Sequence, residues 1–282
     1  MRLAKYIMQE RYIMTQRILA FSGSKQSGKT TRVNFLHGYE MKRTEAIKVF
    51  EINENGNLVV NAITTDEKGE SSEGMGILDI ERQDFEFASY ASQRIWPFVR
   101  CYNFATPLKR MCINVFGLTQ DQCYGTDENK NTSVNIMWDN LPGDFSSENK
   151  TGQMTAREFL QYFGTDVCRQ IKPDIWTSIC INDIINDESE LAIIGDCRFK
   201  NEVDAVHNAG GKVIRLLRRP NEDGHSSEND LEDYDGFDYV IDNSEMSIDE
   251  CNKELLNVLI DWGWIQSAEP VGFVMSAKKE GG

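Results

Sequence analysis

Along most of the chain, short apolar runs of β type alternate with stretches of helical period. "RILAFSG" (17–23) is a strand-like run closed by glycine, and the "GKTTRVNFLHGYE" that follows reads as a helix turning Val33, Phe35 and Leu36 to a core. The alternation resumes with a strand in "FVRCYNFA" (98–105) and the helix "PLKRMCINVFG", with Thr106 expected as N-cap and Pro107 as the first helical residue. Thr155 and Glu158 have capping-box spacing for "AREFLQYFG", which Gly164 is expected to end, and a further helical stretch runs from about Asp166 to Ile185. Beyond it come the strand "LAIIGD" (191–196), the helix "FKNEVDAVHNAGG", the strands "KVIRLLRR" and "FDYVID" (237–242), and the helix "IDECNKELLNVLIDWGW". Strands separated by helices predict the α/β class, a parallel sheet covered by helices on both faces.

Two segments break this rhythm. Residues 46–90 hold two β-rich runs around Asn55-Gly56, a hairpin signal, followed by the polar loop "DEKGESSEGMG". They predict a small β-rich insertion that tunes access or self-association and lies outside the core. Residues 119–153 are polar and Asn/Gly-rich with aromatic islands such as Trp138, the pattern of a mobile segment on the substrate side. At the ends, residues 1–13 read as an extension and 266–282 as a flexible tail, leaving 14–265 as one core interrupted by the insertion.

A chain of 282 residues with 40% hydrophobic residues can bury a substantial core, which excludes the disordered and fibrous classes. No apolar run has bilayer length and no secretory h-region opens the sequence, so a cytoplasmic protein without membrane contact is expected. Seven cysteines without a CxxC pair, and three histidines without ligand spacing, predict reduced buried thiols rather than disulfides or zinc. The net charge of −15 opposes a stable nucleic-acid partner, because duplex binding draws on Lys and Arg to neutralise phosphates. It does not oppose a small anion held by a few arginines in a cleft. Twelve acids and no Lys or Arg occur between Asn221 and Glu250, the pattern of a solvated face or of a flap that repels polyanions.

The chemistry centres on Gly23-Ser24-Lys25-Gln26-Ser27-Gly28-Lys29-Thr30, followed by Thr31. Glycines at this spacing let backbone N–H groups turn inward at a helix N-terminus and cradle phosphates; Lys29 can reach the β- and γ-phosphates, and the Thr30 hydroxyl can ligate Mg2+. The strand before and the helix after are the context that a phosphate-binding loop requires. Asp196, an acid at the carboxyl end of a parallel strand, lies on the ligand edge of such a sheet, where it could act on Mg2+ through water or orient an acceptor; its other reading is an N-cap for the next helix. Asp79 reads as a surface acid. Phosphoryl transfer rests on positioning and charge stabilisation, so arginines must converge on the phosphates. The candidates near strand ends and helix starts are Arg157, Arg169, Arg198, Arg218 and Arg219, with Lys109.

In order, "FSGSKQSGKTT", "FATPLKR", "REFLQYFGTDVCRQ" with Trp176 after it, "IIGDCRFKNEVDAVHNAGGKVIRLLRRP", "GHSSE" and "DYVIDNS" resemble the phage-type deoxynucleoside monophosphate kinases of the P-loop kinase superfamily, over residues 18 to about 260. The resemblance implies a P-loop kinase sheet and transfer of the ATP γ-phosphate to a deoxynucleoside monophosphate, for DNA synthesis, in the cytoplasm of an infected host if the gene is a phage's. It implies that Gly23 to Thr31 hold ATP, that Lys109, Arg157, Gln161, Asp166 and Arg198 lie on the acceptor side, and that Arg218 and Arg219 approach the phosphates from a lid. Asn243 would sit near the adenine, and Lys29, Asp196, Arg169 and Arg219 would serve the transfer itself. The partner expected is a small nucleotide, with a homodimer as the assembly considered. Two other readings fit the phosphate loop: a kinase acting on a modified base within DNA, and a nucleotide-binding module without turnover.

Overall fold

A computed structural model describes residues 16–65, 71–82, 84–141, 150–218, 231 and 233–265. The expected extension (1–13), the tail (266–282), Arg219 and the first part of the acidic run lie outside the described residues.

The chain enters by β1 (Arg17–Gly23) and turns into helix α1 (Lys29–Arg43). The insertion follows as β2 (Phe50–Ile52), β3 (Leu58–Thr65), β4 (Ser71–Ile77) and helix α2 (Phe85–Arg94), leading to β5 (Val99–Tyr102). Next come α3 (Thr106–Phe116), the short helices α4 (Gln120–Tyr124) and α5 (Asp127–Lys130), then β6 (Ser133–Met137) and β7 (Gln153–Thr155). Helix α6 (Ala156–Gln161) passes through a π-helical turn, Tyr162–Cys168, into α7 (Arg169–Ile171), and α8 (Ile175–Asp187) restarts after Pro173. The chain then runs through β8 (Leu191–Cys197), α9 (Lys200–Asn208), β9 (Lys212–Leu216), β10 (Tyr239–Ile241) and α10 (Ile248–Asp261).

The main sheet is parallel throughout, in the order β10-β9-β1-β8-β5. Its strands alternate between two buried faces. Leu19 and Phe21 of β1 join Leu191, Ile193, Ile214 and Leu216 in one apolar cluster with α1 and α10, while Ile18 and Ala20 join Ala192, Ile194 and Val213 in another with α9. Both faces are therefore dry, which is why these strands read as continuous apolar runs rather than as alternating ones. Each large aliphatic or aromatic side chain buried there contributes about 1.5–3 kcal/mol. From β1 the chain crosses to β5, and from β8 it crosses back to β9. The two connections leave neighbouring strands in opposite directions and open a crevice at their carboxyl ends, where ligands of such sheets bind.

The insertion does form the expected hairpin, with β2, β3 and β4 antiparallel. Two expectations about it need correction. The "polar loop" contains β4, an edge strand whose Ser/Gly-rich sequence carries no alternation, and the segment is not outside the core. Leu58, Val60, Phe87 and Ala91 belong to the same cluster as Phe21 and Phe35, and Phe50 packs against Phe35 with ring centroids 6.0 Å apart.

The segment expected to be mobile is packed where it is described. Thr119 and Thr126 cap α4 and α5, and Trp138, Val134 and Met154 form a third apolar cluster with Phe159 and Tyr162. Gly164 does not end its helix. It is buried in the π-helical turn against Leu108, and its carbonyl accepts from Trp176 Nε1 at 2.9 Å. At α3 the N-cap is Ala105, one residue before Thr106. All seven cysteines are free, and all but Cys101 are buried. Among the described residues no helix is long and apolar enough to cross a membrane.

Candidate active site

The carboxyl ends of the parallel strands open into one cleft of about 920 Å³. The loop between β1 and α1 forms its base. Gly23 (φ 152) and Gly28 (φ 93) take backbone conformations open to glycine, and a Cβ at Gly23 would stand 2.5 Å from Ser27 Oγ and 2.8 Å from the Leu216 carbonyl. Gln26 also has positive φ, 64°, so the loop turns twice within a few residues. The first N–H groups of α1 have no intrahelical acceptor, and the positive end of the helix dipole adds to them. Lys29 Nζ donates to the carbonyls of Gly23 (2.6 Å) and Ser24 (2.7 Å), which folds the ammonium over the loop. The Ser27 hydroxyl is buried without a hydrogen-bond partner among the described residues. Lys25, Gln26, Ser27, Gly28, Lys29, Thr30 and Thr31 all line the cleft. A polyphosphate fits this cradle: its charge matches Lys29 and the helix end, and its oxygens would satisfy inward N–H groups.

Asn243, at the end of β10, braces the loop. Its Nδ2 donates to the Ser27 carbonyl at 2.9 Å and its Oδ1 accepts from the Arg218 N–H at 2.9 Å. Ser24 Oγ donates to the Arg218 carbonyl at 3.3 Å, so the strand end that carries Arg218 is tied to the loop at two points. The amide expected beside a base is thus engaged with backbone on both sides, although Asn243 and Arg218 both line the cleft.

Asp196 owes its direction to an irregularity in β8. Ala20 of β1 pairs with Ile194 but Ser22 pairs with Cys197, so β8 carries one extra residue there and bulges. Bulges beside active sites re-aim side chains. Asp196 reaches across to the end of β5, where Oδ1 accepts from Phe104 N (2.8 Å) and Oδ2 from Ala105 N (3.1 Å). It is not the cap of α9, whose N-cap is Phe199. It holds the turn that starts α3, on the cleft wall, and burial raises its pKa above the usual carboxylate value.

The cations stand around this floor. Arg169, Arg198 and Lys109 line the cleft. Burial lowers the Lys109 pKa, and its Nζ lies 4.2 Å from the centroid of the Tyr124 ring. Arg157 does not line the cleft. Its Nη2 donates to Asp127 Oδ1 at 2.7 Å, and Asp127 also faces Lys25 Nζ at 3.6 Å, which places Arg157 at the rim. Gln161 and Asp166 are exposed and away from the cleft lining. Among the described residues no group of three or more His, Cys, Asp or Glu side chains could enclose a metal ion. An oxygen donor such as Thr30, with phosphate and water completing the shell, suits Mg2+, which keeps most of its waters.

The sequence reading missed two parts of the wall. Glu202, buried in the first turn of α9, accepts from Arg169, Arg198 and Phe199. Its signal was present in "DCRFKNE", an acid at the third residue of a helix that opens a ligand-side loop. The second part is the insertion. Its hairpin tip, Glu54 to Asn57, lines the cleft: Asn34 Nδ2 donates to the Gly56 carbonyl at 2.9 Å, and a Cβ at Gly56 would collide with Thr31. On the far side Glu81 accepts from Asn103 Nδ2 at 2.5 Å. Asp79 is exposed at that rim. Nothing local in the sequence says that a hairpin will fold back on a helix some twenty residues earlier.

The family model described as deoxynucleotide monophosphate kinase matches residues 17–255, which span every strand and cation just described. The chain is also 28% identical over 169 residues to a protein of Acanthamoeba polyphaga mimivirus named "Putative deoxynucleotide monophosphate kinase", a match covering 55% of this chain and 80% of the viral one. With the match running from the first strand into the last helix, the chain belongs to the deoxynucleotide monophosphate kinase family.

Proposed function

We propose that this protein transfers the γ-phosphate of ATP to a free deoxynucleoside monophosphate, giving the diphosphate that supplies DNA synthesis. The observation that carries the reading is that Lys29, at the glycine loop, and Arg169 and Lys109, from separate elements, line one cleft. Such a cleft, at the upper end of small-ligand pocket sizes, brings two anionic groups together over a floor of fixed cations and N–H groups. Phosphoryl transfer needs little else, since its catalysis is mostly positioning and neutralisation of charge.

In this reading Gly23 to Thr31 hold the ATP phosphates, with Lys29 redirected from the loop carbonyls to the β- and γ-oxygens. Thr30 is the protein ligand for Mg2+, which when bound to ATP neutralises phosphate charge. Arg218 faces the donor from the β9 end. Lys109 and Arg198 hold the acceptor phosphate, Arg169 meets the phosphoryl group in transfer, and Asp196 fixes the turn from which α3 presents Lys109. Asn243 acts on the nucleotide through the loop it braces. Arg157 joins the phosphates only if they displace Asp127. The hairpin tip and Ile77 to Glu81 close the cleft against water and bulky acceptors.

The test is ADP release, coupled to a dehydrogenase, over a panel of deoxy- and ribonucleoside monophosphates. Turnover with at least one deoxynucleoside monophosphate, at a KM that changes less than about tenfold between low and moderate salt, is the expected result. No turnover on any monophosphate would refute it.

A further inference from the structure

Glu202 and Phe199 hold Arg169 from two directions. Glu202 Oε1 accepts from Arg169 Nη2 at 3.2 Å, and the Arg169 guanidinium carbon lies 4.4 Å from the centroid of the Phe199 ring. The other carboxylate oxygen of Glu202 accepts from the N–H groups of Arg198 (2.7 Å) and Phe199 (3.1 Å), so the loop that carries the ring is fixed by the same side chain. Arg169 is thus gripped on one edge and one face. It lines the cleft, and one Nη2 bond engages only part of a five-donor fork.

Capping α9 does not explain a carboxylate here. A glutamine oxygen would accept from the same two backbone N–H groups, and burying a carboxylate is costly. Burial and the nearby Asp196 penalise the charged form of Glu202, whereas Arg169 favours it. Arg169 is what the charge answers to, through a charge-assisted bond that fixes the plane of the guanidinium.

We propose that Glu202, with Phe199, is a positioning residue that holds the Arg169 guanidinium against the phosphoryl group in transfer, an inference that rests on the kinase reading above. Its action runs through Arg169 alone.

Glu202→Gln separates this from a capping role, because it keeps an acceptor for the two N–H groups but turns an amide toward Arg169. The expected result is a kcat lower by about 10–100-fold, with an unchanged melting temperature and a KM for ATP within twofold of wild type. In an Arg169→Ala background, Glu202→Gln should lower kcat by less than twofold more. Phe199→Leu, which leaves every hydrogen bond in place, should also lower kcat several-fold and reads the same clamp should Glu202→Gln fail to fold. Wild-type kcat in Glu202→Gln, or a full additional loss in the Arg169→Ala background, overturns the proposal. Binding gives a readout free of turnover: adenosine 5′-tetraphosphate, which extends ATP by one phosphate toward the far wall, should bind at least tenfold more weakly to Glu202→Gln and Arg169→Ala, with ADP affinity unchanged. Unaltered tetraphosphate binding also overturns the clamp, whereas absence of turnover by wild type overturns only the kinase reading.

Discussion

Asn243 donates its side-chain amide to the carbonyl of Ser27 at 2.9 Å, which ties the end of the sheet's edge strand to the glycine loop. The bond is buried and works with a second one, from the Arg218 N–H to Asn243 Oδ1. Truncation to alanine leaves a buried carbonyl and a backbone N–H without partners, at a cost of about 1–3 kcal/mol. Asn243→Ala should therefore lower the urea midpoint and raise the KM for ATP several-fold, because the loop and Arg218 lose their common brace. An unchanged midpoint would show that the brace carries no stability.

Lys29→Ala should reduce kcat by roughly 10²–10³ or more, the range expected when one electrostatic stabiliser of a transition state is removed. Lys29 is largely buried and its two hydrogen bonds hold loop carbonyls, so a modest loss of stability, about 1 kcal/mol, should accompany it. Turnover above a tenth of wild type would contradict the assignment.

The insertion should prove indispensable to folding. Leu58 is fully buried in the main core, and Leu58→Ala should cost about 2–5 kcal/mol in chemical denaturation. Replacing residues 46–90 by a Gly/Ser linker should abolish cooperative unfolding, since it uncovers Phe35 and the core face of α1. A cooperative, ATP-binding linker variant would show that the cluster can close without the insertion.

The legible parts of the sequence are those where one local signal has one outcome. The apolar runs around Leu19 and Ile193 could only be strands buried on both faces, and the Thr155/Glu158 box starts its helix as read. Gly23 to Thr30 announced their loop, because conformation and chemistry there share the same residues. The signals that failed were overridden from a distance. Gly164 stays helical because Leu108 and Trp176 pack and bond against it. Ser71 to Ile77 form a strand because β3 offers them an edge, without any pattern of their own. Leu58 and Trp138 sit within polar stretches, yet each is buried by neighbours far along the chain. Glu202 was overlooked because a helix-opening acid is common, and only its reach to Arg169 sets it apart.

Acid should destabilise the fold through His37. This residue is buried on α1, its Nδ1 3.0 Å from the Val33 carbonyl, and burial holds its pKa down at about 4 against an ordinary 6.5. As pH falls, the unfolded chain takes up the proton first. Stability from this group is therefore complete above about 6.5 and is lost progressively down to about 4, by roughly 3 kcal/mol in all. Urea midpoints at pH 7 and pH 5 should fall further apart for wild type than for His37→Leu; equal pH dependence in the two would contradict the assignment.

The central claim is that the cleft passes a phosphoryl group directly from ATP to a free deoxynucleoside monophosphate. The most direct measurement follows the label from γ-³²P-ATP in a mixture of wild-type protein, Mg2+, the four common deoxynucleoside monophosphates and DNA, with products separated chromatographically. The predicted result is labelled deoxynucleoside diphosphate formed one-for-one with ADP, at an initial rate about a hundredth or less of wild type in Lys29→Ala. Label appearing in DNA, or only in inorganic phosphate, would contradict it.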